Sequence, residues 1–93
     1  MSEVRDNPAA SRFEMASGDA VALVEYTRSG NRVVLTHTEA PAALSGQGVG
    51  SKLVRGTLDA LRAEGVKIVP RCEFVAAYVE RHPEYRDLLA NDE

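Results

Sequence analysis

Three glycines at alternate positions, in Leu44-Ser45-Gly46-Gln47-Gly48-Val49-Gly50-Ser51-Lys52-Leu53-Val54, stand directly before an amphipathic helical pattern. Glycine admits positive φ and close backbone approach, and the first turn of a helix offers unpaired N–H groups at the positive end of its dipole. The stretch therefore reads as an anion site suited to phosphate groups, against the plainer alternative of a turn before a helix. A Walker loop is absent, because Gly50 is followed by Ser51 before Lys52 is reached. A dinucleotide fingerprint fits no better: the third glycine arrives one residue early, and too few strands follow for a doubly wound sheet.

What flanks the glycines sets the architecture. Downstream, Val49, Leu53, Val54, Thr57, Leu58 and Leu61 recur at helical spacing and Gly65 suits the C-terminal cap. Upstream, Arg12-Phe13-Glu14-Met15 alternates as a half-buried edge strand does, and Ala20 to Tyr26 is apolar on both faces as in a central strand. Ser29-Gly30-Asn31 then turns the chain into a third strand, Arg32 to Glu39. Val66-Lys67-Ile68-Val69 is a short buried strand closed by Pro70, and if it lies parallel to the third strand the helix between them is a right-handed crossover. Phe74, Val75, Tyr78 and Val79 mark the apolar face of a second helix, which breaks at His82-Pro83 and restarts at Pro83. The predicted fold is α+β: three antiparallel strands plus a βαβ unit, a mixed sheet with two to three helices. Residues 1–11 read as a flexible N-terminal tail and residues 12–90 as the domain.

Composition narrows the function. A chain of 93 residues is one domain with a modest core. No run approaches the roughly 20 apolar residues of a membrane span, and Met1 to Asp6 lacks the apolar centre of a signal peptide, which predicts a cytoplasmic protein without membrane contact. Cys72 is the single cysteine and there are two histidines, so no structural zinc site is expected and no metal is assigned. A net charge of −3 with scattered basic residues argues against nucleic-acid binding.

The order of antiparallel strands, glycine loop, long helix, short parallel strand and second helix resembles the GNAT superfamily of acetyl-CoA-dependent N-acetyltransferases. The likeness covers most of the chain. More narrowly the chain is similar to the short stand-alone N-acetyltransferase-like branch, through His37-Thr38-Glu39, Gly46 to Val54, Pro70-Arg71-Cys72-Glu73-Phe74-Val75 and His82-Pro83-Glu84-Tyr85. The resemblance implies a truncated GNAT-type fold with acetyl-CoA as cosubstrate. Its diphosphate would lie on the loop Gly46, Gln47, Gly48, Val49, Gly50 and Ser51, and its pantetheine arm along Thr38 and Glu39. The residue opening the superfamily's loop pattern, an arginine or glutamine, is Ser45 here. The acceptor would be an amine that the sequence does not identify, and the protein a monomer or weak homodimer. Superfamily domains continue with further strands after the position of Tyr85, so the acceptor side is open or borrowed.

Acyl transfer from a thioester calls for a neutral amine, a stabilised oxyanion and a proton for the departing thiolate. The resemblance places Tyr78 near the leaving sulfur as a proton donor; the alternative for a tyrosine at apolar helical spacing is a core role. His37 is a candidate general base with Glu39 to orient it, or else a solvent-facing strand residue. The resemblance places Cys72, at the expected start of the second helix, close to the thioester, where it either accepts the acetyl group before passing it on or lines the pocket; the alternative for a buried cysteine is to fill space in the core. An acyl-CoA-binding module without catalysis is the alternative to an enzyme.

Overall fold

The structure, a computed structural model, describes residues 4–17, 20–40 and 48–90. One sheet holds five strands in chain order: β1 (Arg5–Asn7), β2 (Arg12–Ser17), β3 (Ala20–Ser29), β4 (Arg32–Glu39) and β5 (Lys67–Pro70). The first four are antiparallel neighbours, and β5 lies parallel to β4. A parallel pair needs a crossover, which α1 (Val49–Glu64) supplies. After β5 come α2 (Glu73–Arg81) and a 3-10 turn over Pro83–Leu88.

α1 begins and ends on glycines in the left-handed region, Gly48 at φ 71° and Gly65 at φ 82°, where a Cβ would be strained. The Gly65 amide donates to the carbonyls of Leu61 and Arg62, closing the helix. Its stripe Leu53, Val54, Leu58 and Leu61 is buried on one face of the sheet. That face presents Phe13, Met15, Ala22, Val24, Tyr26, Val33, Leu35 and Ile68, which join Val75 and Val79 of α2 in a single apolar cluster. The other face carries the exposed residues Ala16, Val21, Glu25 and Thr27.

Three expectations change. Part of the tail assigned to residues 1–11 is a fourth antiparallel strand: Arg5–Asn7 pairs with β2, and the Tyr26 hydroxyl donates to Asp6 Oδ1 at 2.6 Å. Asn7 and Arg12 both donate to Glu14 Oε2, at 3.0 and 2.6 Å. A three-residue polar edge strand buries no apolar side chain, so hydropathy alternation carries no trace of it. Phe74, read as part of the apolar face of α2, is instead 44% exposed. The segment restarted by Pro83 winds as a 3-10 turn, tied to α1 where Arg62 donates to the Glu84 carbonyl at 2.7 Å and to Asp87. Leu89 and Ala90 then run beside β5, the Ala90 amide donating to the Ile68 carbonyl at 3.0 Å. They cover part of an edge that the sequence left open.

Candidate active site

The site grows from a break in the sheet. β4 and β5 pair from Arg32 with Lys67 to Leu35 with Pro70, and there the pairing stops. The amides of Arg71 and Cys72 both turn onto the Leu35 carbonyl, at 3.0 Å each, while β4 continues to Glu39. The two chains therefore diverge and leave a split beyond Leu35.

A bulge sets what lines that split. β4 pairs with β3 through Leu35 and Tyr26, but the next pair is His37 with Glu25, so Thr36 is an extra residue; its hydroxyl donates to the Glu25 carbonyl at 3.2 Å. One inserted residue exchanges the faces of everything after it. Without it His37 and Glu39 would continue the buried stripe of Val33 and Leu35; with it Thr38 falls opposite Val24 on the core side. His37 and Glu39 are exposed, His37 Nε2 standing 3.7 Å from Glu39 Oε2.

Thr38, now on the core side, meets the chain leaving β5: the Cys72 thiol donates to Thr38 Oγ1 at 3.1 Å. Cys72 is half-buried and is also the N-cap of α2, with no side-chain hydrogen bond to the helix. α1 likewise starts without a side-chain cap, and its first bond runs from the Lys52 amide to the Gly48 carbonyl at 3.0 Å. The amides of Val49, Gly50 and Ser51 are left without an intrahelical acceptor.

The two helices point the same way. A Cβ on Gly50 would lie 2.7 Å from Phe74 Cζ, and Arg55 and Asp59 act electrostatically on Tyr78. The Tyr85 hydroxyl donates to Asp59 Oδ1 at 2.7 Å, and Arg62 lies over the Tyr85 ring. Contacts that advance together along α1 and along α2 with the 3-10 turn after it mean that both helix N-termini, each the positive end of a dipole, meet beside the split. Lys52 and Arg55 are exposed on the first turns of α1.

The expected site residues therefore divide. Cys72 and Thr38 are brought together, and Gly48, Val49, Gly50 and Ser51 form the adjoining start of α1. Gly46 and Gln47 lie outside the described residues. His37 and Glu39 pair on the opposite face of the same strand. Tyr78 lies six residues into the chain after Cys72, about 9 Å along a helix. It is 7% exposed, and its ring stacks on His82 with centroids 4.1 Å apart. Burial raises its pKa, opposed by Arg55 and reinforced by Asp59 and Glu84. Among the described residues no three His, Cys, Asp or Glu side chains gather as a metal site, and no helix is long and apolar enough to cross a membrane. On the outer side of β5, Ile68, Val69, Pro70, Arg71, Leu89 and Ala90 line an open cleft of about 430 Å³. Reading the sequence missed this cleft, because it is made by two segments about 20 residues apart whose pairing has no local signal.

A mixed sheet split between β4 and β5, with a glycine-started helix at the opening, is an acyltransferase architecture, and comparison with known proteins agrees. The sequence profile of the GCN5-related N-acetyl-transferase family matches residues 12–88. The chain belongs to that family. Protein NATD1 of Gallus gallus and of Homo sapiens are each 38% identical to it over 65 residues, or 69% of this chain. The match spans little more than half of those relatives, 57% and 56% of their lengths. A GCN5-like protein of Staphylococcus aureus, solved by NMR in solution, superposes with a TM-score of 0.73 at 26% identity, covering 95% of this chain and 87% of that one.

Proposed function

We propose that this protein binds acetyl-CoA and transfers its acetyl group to an amine. The observation that carries the reading is the meeting of two helix N-termini beside the split, with Cys72 and Thr38 held together at its edge. The amides of Val49, Gly50 and Ser51 receive the diphosphate, with Lys52 and Arg55 adding positive charge. The pantetheine arm follows β4 past Thr38 and Glu39, which brings the thioester to Cys72.

Two routes then lead to the amide. In one, the Cys72 sulfur attacks the acetyl carbon, the bond to the coenzyme sulfur breaks, and the thiol proton leaves with coenzyme A. The amine next attacks the acetyl-cysteine, and the cysteine sulfur recovers a proton as it departs. In the other, the amine attacks the bound thioester directly. The proton lost by the amine goes to His37, oriented by Glu39, from the far side of the strand tip. Tyr78, a phenol that is protonated at neutral pH and whose pKa burial raises further, is the candidate donor to the departing sulfur.

Mass spectrometry distinguishes the routes. Incubation with acetyl-CoA and no amine is expected to give a hydroxylamine-labile acetyl adduct on Cys72, and Cys72→Ala is expected to bind coenzyme A while losing the adduct and most of the transfer. Transfer by Cys72→Ala at the wild-type rate would leave the direct route. Tight coenzyme binding with no transfer to any amine of a broad panel would make the protein a binding module instead.

A further inference from the structure

Phe74 is a large apolar side chain left 44% exposed in the first turn of α2, two residues after Cys72. Exposure of a single aromatic is ordinary, but the opposite helix is shaped to receive this one. A Cβ on Gly50 would stand 2.7 Å from Phe74 Cζ and 3.3 Å from Cε2, so the ring rests on bare backbone in the first turn of α1. Gly50 has no left-handed φ to explain it, unlike Gly48, where a Cβ would meet nothing within 4 Å. What glycine provides at position 50 is room for the ring. The ring thus bridges the two helix starts. On α1 it rests at Gly50, one of the first-turn residues whose amides have no intrahelical acceptor, and on α2 it stands two residues after Cys72, which donates to Thr38.

We propose that Phe74 is a cosubstrate-binding residue whose ring, resting on Gly50, packs against the pantetheine arm of an acyl-CoA that lies along the split. The proposal rests on the acetyl-CoA reading above. With the diphosphate on the α1 amides and the thioester at Cys72, the segment joining them passes the ring. That segment includes a geminal dimethyl group and methylene units, which gain by leaving water against an aromatic surface. The adenine, beyond the diphosphate, lies on the other side of the amides.

Calorimetry with three probes tests this: acetyl-CoA, 4′-phosphopantetheine and adenosine 3′,5′-bisphosphate. Phe74→Ala, checked for native circular dichroism, is expected to weaken acetyl-CoA and 4′-phosphopantetheine on the order of tenfold and to leave the bisphosphate unchanged. Phe74→Leu should recover most of the loss. Gly50→Ala must displace the ring, so its own penalty should largely vanish in the Phe74→Ala background, a non-additivity that an independent role for Gly50 would not produce. Unchanged or tighter acetyl-CoA binding by Phe74→Ala would overturn the proposal, as would a loss confined to the bisphosphate. Failure of the wild-type protein to bind acetyl-CoA would overturn the functional reading itself.

Discussion

Thr57 stands in the buried stripe of α1, 1% exposed, and among the described residues its hydroxyl has no hydrogen-bond partner. A buried donor left unpaired costs about 1–3 kcal/mol, whereas an apolar group of the same shape does not. Thr57→Val is therefore expected to raise the unfolding free energy by about 1 kcal/mol, read as a higher urea midpoint at unchanged m value. A lower midpoint would mean that the hydroxyl is satisfied. Residue-level legibility was uneven in the same helix. The glycines announced the start of α1, but their reasons differ, backbone conformation at Gly48 and ring contact at Gly50, and the second depends on a side chain 24 residues away.

Among the elements, β1 and the bulge of β4 were the least legible and have the largest consequences. β1 supplies Asp6 to the buried Tyr26 hydroxyl and covers the edge of β2. Deleting residues 1–10 removes a hydrogen bond to a charged acceptor, worth about 1.5–3 kcal/mol, and exposes a longer strand edge. The truncated protein is expected to melt several degrees lower and to self-associate in sedimentation velocity. An unchanged melting temperature would return these residues to the status of a tail. The long helix and β2 were readable from periodic apolar stripes, and β3, β4 and β5 from apolar runs bounded by turn residues or proline. Thr36 interrupts no such pattern, so alternation puts His37 on the side of Leu35, where the structure instead places Thr38. Pairing Cys72 with Thr38 across 34 residues was equally beyond local pattern.

Across the whole molecule, the three tyrosines lock the core in one protonation state. Burial, then the Asp6 hydrogen bond, raises Tyr26; burial raises Tyr78; burial, then the Asp59 hydrogen bond, pushes Tyr85 up to about 12. A folded-state pKa above the unfolded value of about 10 favours the neutral phenol in the fold. Its contribution is full below pH 10 and is lost as pH rises through the folded value. Tyrosinate absorbance at 295 nm should therefore rise only above pH 10 and together with loss of helical circular dichroism. A tyrosine ionising at or below pH 10 in the intact fold would contradict this.

Backbone amide resonances followed during titration with coenzyme A show whether an acyl-CoA lies across the two helix starts and along the split between β4 and β5. The amides of Gly48 to Lys52, Thr38 and Glu39, and Cys72 to Phe74 are expected to shift together with one dissociation constant, while those of β1 and β2 stay fixed. Saturable shifts confined to the cleft of Ile68, Pro70 and Leu89, or no saturable shifts at all, would contradict that placement.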